Sequence, residues 1–279
     1  MVKQKQVIRE SVSKAYARAL SAECGSGCCG NAPQGELAKR AGYQDQELAG
    51  VPVEAVRHSF GCGNPLAFSE VGKGQVVLDL GSGAGIDVVL AAKKVGPTGR
   101  VIGVDMTDAM IAKAKETVAQ AGLSNVEIRQ GIIEALPVES SSVDWVISNC
   151  VINLSPEKPR VFAEIARVLK PGGRMIVSDV IADDLPAAVR QDLGMYSSCV
   201  AGALSAFEYR DGLEHAGLAD VEVRKSAGFS AGQVEALIES DERTTDACGC
   251  RSSTVRADLA EACAGKVWSA LISARKPAA

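Results

Sequence analysis

From Gln75 onward the chain alternates short apolar runs with longer segments of helical period, and this alternation constrains the fold more than any other feature. The runs are VVLDL (76–80), RVIGVD (100–105), VEIRQG (126–131), VDWVISN (143–149) and GRMIVSD (173–179). Each has the length of a buried strand, and the gaps between them can hold crossover helices. Helices are expected at roughly 84–95, 107–121 and 157–169, the last stopped by Lys170-Pro171-Gly172-Gly173. Such a pattern predicts an α/β fold built on a doubly wound parallel sheet with helices on both faces.

The rest of the chain is arranged around that unit. Residues 1–60 form a helical, thiol-bearing segment in which Val7, Ile8, Val12, Tyr16 and Leu20 recur at helical spacing. It ends in a glycine-rich patch, Cys24-Gly25-Ser26-Gly27-Cys28-Cys29-Gly30, expected to be mobile. Residues 61–180 carry the sheet, and residues 181–279 carry a looser stretch (182–215) and two closing strands, DVEVRK (220–225) and KVWSALISARK (266–276). A polar insertion at about 230–262 holds Cys248 and Cys250. With 279 residues, 47% of them hydrophobic, the chain can bury a large core, and a net charge of -4 offers no basic stripe for nucleic acid. No apolar run reaches the roughly 18 residues of a membrane span, and MVKQKQVIRE lacks a signal-peptide core, so a cytoplasmic protein is expected.

The loop after the first run is Asp79-Leu80-Gly81-Ser82-Gly83-Ala84-Gly85-Ile86-Asp87. A glycine-rich turn between a strand and a helix lets a ligand reach the backbone. Its G-x-G-x-G spacing has isoleucine where a dinucleotide fingerprint wants glycine or alanine. The acid at Asp79 suits a ligand with a cationic amino acid end, which favours S-adenosylmethionine over NAD. Asp105 ends the next strand, where a carboxylate can accept both ribose hydroxyls. Gly131-Ile132-Ile133-Glu134 follows at the depth of an adenine ring. Any one of these is an ordinary βα loop, but three in succession predict cofactor binding. The expected contacts are Asp79, Gly81, Ser82, Gly83, Gly85, Asp105, Met106, Ile133, Glu134 and Asn149.

Nine cysteines, an odd count, argue against a disulfide framework in a reducing compartment. Cys24 to Cys28 and Cys248 to Cys250 do not have the paired C-x-x-C spacing of a structural zinc site. Cys150 follows the fourth run and belongs on the cofactor side, Cys62 lies on the turn Gly61-Cys62-Gly63-Asn64-Pro65, and Cys199 lies in a stretch expected to fold over the crevice. Taken singly, each is as well explained by packing. Together, three thiolates beside a methyl donor suit a soft, thiophilic centre such as trivalent arsenic. The two histidines, His58 and His215, sit in no acid/base constellation.

The segments GCGNP (61–65), VVLDLGSGAGIDVVLAAKKVGPTGRVIGVDMT (76–107), SNCVINLSPEK (148–158), RVLKPGGRM (167–175) and CVAGAL (199–204) resemble the arsenite methyltransferase family. The resemblance runs from about residue 60 to 225, with SARKP as a further match. It implies a Rossmann-like class I methyltransferase sheet, S-adenosylmethionine as cofactor, and trivalent arsenic held by Cys62, Cys150 and Cys199. It further implies arsenite or its thiol conjugates as substrate, methylated arsenicals as products and a role in arsenic detoxification. Thioredoxin or a small-thiol reductant would recycle oxidised cysteines, and one of Cys24, Cys28 and Cys29 would act as a thiol relay. Two positions depart from the family: Phe60 stands where a tyrosine is common, and Ile132 where an acid is. The rival expectations are a class I methyltransferase for a small organic substrate, with the cysteines as packing, and a non-catalytic arsenite-binding protein.

Overall fold

The computed structural model describes residues 2–21, 36–190, 196, 199–228, 261, 263 and 265–278. Among these, seven strands form one sheet: β1 (Val76–Leu80), β2 (Arg100–Asp105), β3 (Val126–Gln130), β4 (Val143–Asn149), β5 (Leu169–Ala182), β6 (Ala219–Gly228) and β7 (Val267–Arg275). Their order is β3-β2-β1-β4-β5-β7-β6. Neighbouring strands from β3 through β5 are parallel, while β7 runs antiparallel between β5 and β6. Both closing runs therefore enter the sheet, and the later one takes the inner place, paired with β5 from Arg174↔Arg275 to Ala182↔Val267.

Period-two burial explains why the sheet can be covered on both faces. Leu78, Leu80, Val146, Met175, Val177 and Ile272 pack into one apolar cluster, and the intervening Val77, Trp145, Ile147, Ile176 and Leu271 pack into another. Helices α5 (Ile86–Val95), α6 (Asp108–Gln120) and α7 (Lys158–Val168) lie within two residues of the expected bounds. Gly85 and Gly96, with φ of 95° and 67°, bracket α5 in conformations that glycine adopts without strain. Five further helices are α1 (Val2–Ser21), α2 (Glu36–Arg40), α3 (Asp45–Leu48), α4 (Val53–Arg57) and α8 (Ala187–Arg190).

The stretch read as loose at 182–215 also contains α9 (Ala206–His215). Ser205 and Glu208 start it with a reciprocal capping box. Its apolar face is thin, with Tyr209 and Leu213 as its buried residues, so hydrophobic periodicity gave little signal. Cys24, Cys28, Cys29, Cys248 and Cys250, with the glycine-rich patch and most of the insertion, lie outside the described residues. No helix among the described residues is long and apolar enough to cross a membrane.

Candidate active site

The chain steps outward from β1 to β2 and β3, then returns so that β4 lies on the other side of β1. Loops leaving the carboxyl ends of β1 and β4 therefore diverge, and a crevice opens between them. Nine of the ten expected cofactor residues line it, from Asp79 and Gly81 through Asp105 and Ile133 to Asn149. The tenth, Gly85, caps α5 instead.

The glycine loop is held by backbone. The amides of Gly81 and Ser82 donate to the carbonyl of Val104 at 2.7 and 3.0 Å. Gly81 has φ of 69°, and a β-carbon there would lie 2.5 Å from the side chain of Val151. The amide of Gly83 donates to Asp105 Oδ2 at 3.0 Å, and that of Thr107 to Oδ1 at 2.9 Å. Burial still pushes the Asp105 carboxyl up, against those hydrogen bonds.

Two other acids are buried at the same end. Asp79 is pushed well above the usual carboxylate range by burial, with the charges of Asp87 and Asp105 adding to the effect. Asp87 is pushed up to about 6 by burial, although hydrogen bonds from Tyr43 and Asn149 pull it back. Tyr43 donates its hydroxyl to Asp87 Oδ1 at 2.7 Å. Ser82 Oγ is buried and has no partner among the described residues. Buried acids and a spare hydroxyl want a ligand that brings positive charge and hydrogen-bonding groups. S-adenosylmethionine, with its ammonium, sulfonium and ribose hydroxyls, fits these residues.

A wall that the sequence did not reveal comes from α1, which contributes Arg9, Val12 and Tyr16 to the crevice. Arg9 donates from Nε to Glu134 Oε1 at 3.2 Å and from Nη2 to Glu157 Oε2 at 2.6 Å. Glu134 also accepts the Ser155 hydroxyl at 2.7 Å. The spacing of apolar residues in α1 was legible, but nothing local says which surface they cover.

The structure brings the three predicted thiol positions together. Cys62 and Cys150 form a disulfide with a Cα–Cα distance of 5.9 Å, and Cys199 Sγ donates to the carbonyl of Cys150 at 3.0 Å. Thiols in place of disulfides were expected from the cysteine count. The difference arises because the turn at 61–63 docks directly on the ends of β4 and β5, at a separation that a disulfide accepts. Cys150 and Cys199 are buried and have φ of 59° and 64°, a region that non-glycine residues enter at a cost. Cys263 is also buried, where it packs in the same apolar cluster as Val12 and Val267, and burial pushes its thiol up.

Comparison with known proteins bears on these features. Residues 72–218, more than half of the chain, match the methyltransferase domain model. The chain belongs to the methyltransferase domain family. An arsenite methyltransferase of Halobacterium salinarum is 48% identical over 198 residues, 71% of this chain and 50% of that protein. Another, from Aquipseudomonas alcaligenes, is 37% identical over 219 residues, 75% of this chain and 60% of that protein. The chain thus spans about half to three-fifths of the length of these relatives. The crystal structure of an arsenic(III) S-adenosylmethionine methyltransferase from Chlamydomonas reinhardtii is similar, with a TM-score of 0.61 and 35% identity over 83% of this chain and 72% of that one.

Proposed function

We propose that the protein methylates trivalent arsenic, using S-adenosylmethionine bound in the crevice and arsenic held by Cys62, Cys150 and Cys199. The observation that carries this reading is the convergence of three cysteines from distant segments beside a crevice that Cys150 itself lines. The similarity to arsenite methyltransferases supports it.

When bound, S-adenosylmethionine would supply an electrophilic methyl group whose bond to the sulfonium breaks on transfer to the arsenic lone pair, releasing S-adenosylhomocysteine. The chain's own residues do the rest by placement. Asp79 and Asp87 offer carboxylates for a cationic end, Asp105 offers acceptors for ribose hydroxyls, and Ile133 offers an apolar wall for the adenine. Thiolates select a soft centre over hard ones, and Cys150 sets it at the edge of the crevice. Val12 and Tyr16 of α1 line the crevice and give it an apolar wall. Displacement at a methyl group requires no general base. Arsenite, free or as a thiol conjugate, is the substrate in this reading.

In the disulfide form Cys62 and Cys150 cannot ligate arsenic. A thiol reductant, a small thiol or a thioredoxin, must first cleave the bond, leaving both sulfurs reduced and the reductant as a disulfide. The deciding experiment incubates the protein with labelled methyl donor, reductant and arsenite and separates the arsenic species. Labelled methylarsenicals are expected, and Cys150→Ser is expected to lower the yield to that of the reaction without protein. Undiminished methylation by that variant would refute the three-thiol site. Methyl transfer independent of arsenite would point to an organic substrate, and stoichiometric arsenite binding without turnover to a sequestering protein.

A further inference from the structure

Asn149, the last residue of β4, was read from the sequence as a cofactor contact, yet its side-chain amide is engaged by the protein on both ends. Its Oδ1 accepts from the backbone N–H of Cys62 at 3.0 Å and from that of Gly63 at 3.3 Å. Its Nδ2 donates to the carbonyl of Gly63 at 2.6 Å, to the Tyr43 hydroxyl at 3.0 Å and to Asp87 Oδ2 at 3.3 Å. One planar amide thus touches the turn that carries Cys62 and a buried acid that faces the crevice.

The glycines on either side of Cys62 give an independent sign that the turn is built to sit there. A β-carbon on Gly61 would collide with the Asn149 amide, and one on Gly63 would collide with Ser178 Oγ. Side chains at these positions would lift the turn off β4 and β5. The next residue of the chain after Asn149 is Cys150, whose own amide donates to the Ser178 carbonyl at 2.8 Å. The amide that grips the Cys62 turn is therefore carried one residue away from the sulfur with which Cys62 must cooperate.

We propose that Asn149 is a positioning residue that holds the Cys62 thiol beside Cys150 and ties that placement to the acid pair at the cofactor end of the crevice. It acts through the backbone of Cys62 and through Asp87 and touches neither arsenic nor the transferring methyl. Loss of the amide frees the turn to move away from β4 and removes a donor from Asp87 while leaving all three thiols in the chain. The part of the proposal that concerns arsenic rests on the function proposed above; the placement of the two sulfurs does not.

Two measurements on the full-length protein separate these parts. The first equilibrates the Cys62–Cys150 pair in a dithiothreitol redox buffer, with no arsenic present. Asn149→Ala is expected to make the disulfide about tenfold harder to form, the fold-change carried by one hydrogen bond to a partly buried backbone donor. Asn149→Asp keeps an acceptor for the Cys62 amide but loses the donor to the Gly63 carbonyl, and is expected to fall between the wild type and Asn149→Ala. The second compares Michaelis constants. Asn149→Ala is expected to raise KM for arsenite more than KM for S-adenosylmethionine, and Asn149→Asp, which puts a carboxylate against Asp87, to do the reverse. An unchanged thiol equilibrium in Asn149→Ala, or equal changes in both Michaelis constants for both variants, overturns the proposal. If Asn149→Ala does not fold, Gly61→Ala, whose β-carbon would collide with the Asn149 amide, disturbs the same grip from the turn's side, and an unchanged thiol equilibrium in that variant overturns the proposal. A thiol shift in Asn149→Ala together with no arsenite methylation by the wild type would remove the proposed function and leave the positioning role of Asn149 standing.

Discussion

The glycine loop and the thiol cluster stand on opposite sides of β4's carboxyl end and are made in different ways. The loop is continuous in sequence, and its shape is held by backbone amides on the Val104 carbonyl and on Asp105. The thiol cluster joins residues 88 positions apart in sequence, adds a third from beyond β5, and holds Cys150 and Cys199 in left-handed backbone conformations. A site made of backbone hydrogen bonds loses affinity by degrees when one is disturbed. A site made of three sulfurs that can also bond to one another switches between working and not working. Perturbations of the first should therefore be graded, and perturbations of the second should be all or none.

The largest expected effect tests the all-or-none half. Oxidising the protein so that the Cys62–Cys150 disulfide is complete should abolish arsenite uptake and methylation, while affinity for S-adenosylhomocysteine stays at its reduced value. Calorimetry with the nucleoside and arsenic counting on the same sample check both quantities. A reductant should restore uptake in step with the thiols released. Partial methylation by fully oxidised protein would mean that Cys199 and some other group suffice, and the contrast between the two sides would collapse.

A graded effect is expected from Gly81→Ala. The left-handed conformation costs an alanine about 1–2 kcal/mol, and the new methyl must displace Val151. Cofactor affinity should fall by about tenfold or somewhat more. Because Val151 follows Cys150 directly, the same change should slow arsenic binding, and a titration of each ligand shows how far the two sides share one support.

Acid is the gentler probe. Burial holds Asp87 at about 6, so below that pH its carboxyl is protonated, and binding a cationic ligand must expel the proton. Affinity for S-adenosylmethionine should decrease by about tenfold from about pH 7 to pH 5 for one coupled proton. The stability of the unliganded fold should move the opposite way. An acid whose folded value is raised favours the fold below its unfolded value and loses that contribution as pH rises through about 6. Binding isotherms and thermal melts across this range check the two signs together, and parallel trends would show that Asp87 does not meet the charged end of the ligand.

These contrasts also explain what the sequence disclosed. Strands β1 to β5 and helices α5 to α7 were legible because alternation and helical period are local properties. Asp79, the glycine loop and Asp105 were legible because they stand at strand ends, where the fold class itself places ligands. The resemblance to a family marked Cys62, Cys150 and Cys199, while the disulfide between two of them depends on how closely the 61–63 turn docks. The hydrogen bonds from Tyr43 and Asn149 to Asp87 span 44 and 62 positions and leave no periodic trace. Helix α9 was missed because its apolar face is sparse, and the capping box of Ser205 and Glu208 that starts it is the local signal that could have found it.

Phe60 offers the finest test, because it lies where the two sides meet the covering helix. Its ring is 40% exposed and stands edge-on to Tyr16 of α1, with centroids 5.7 Å apart and planes at 89°. Phe60→Tyr adds a hydroxyl at the crevice mouth and keeps the ring. Half-exposed sites tolerate such a change, so the melting free energy should stay within about 0.5 kcal/mol of wild type. The methylation rate should change by no more than about fivefold, the size of one neutral hydrogen bond. Placement by Asn149, the thiols and the acids is already complete without that hydroxyl. A much larger gain in turnover, with cofactor affinity unchanged, would mean that the mouth of the crevice contributes to the transfer step itself, and that the graded and the all-or-none sides are joined there.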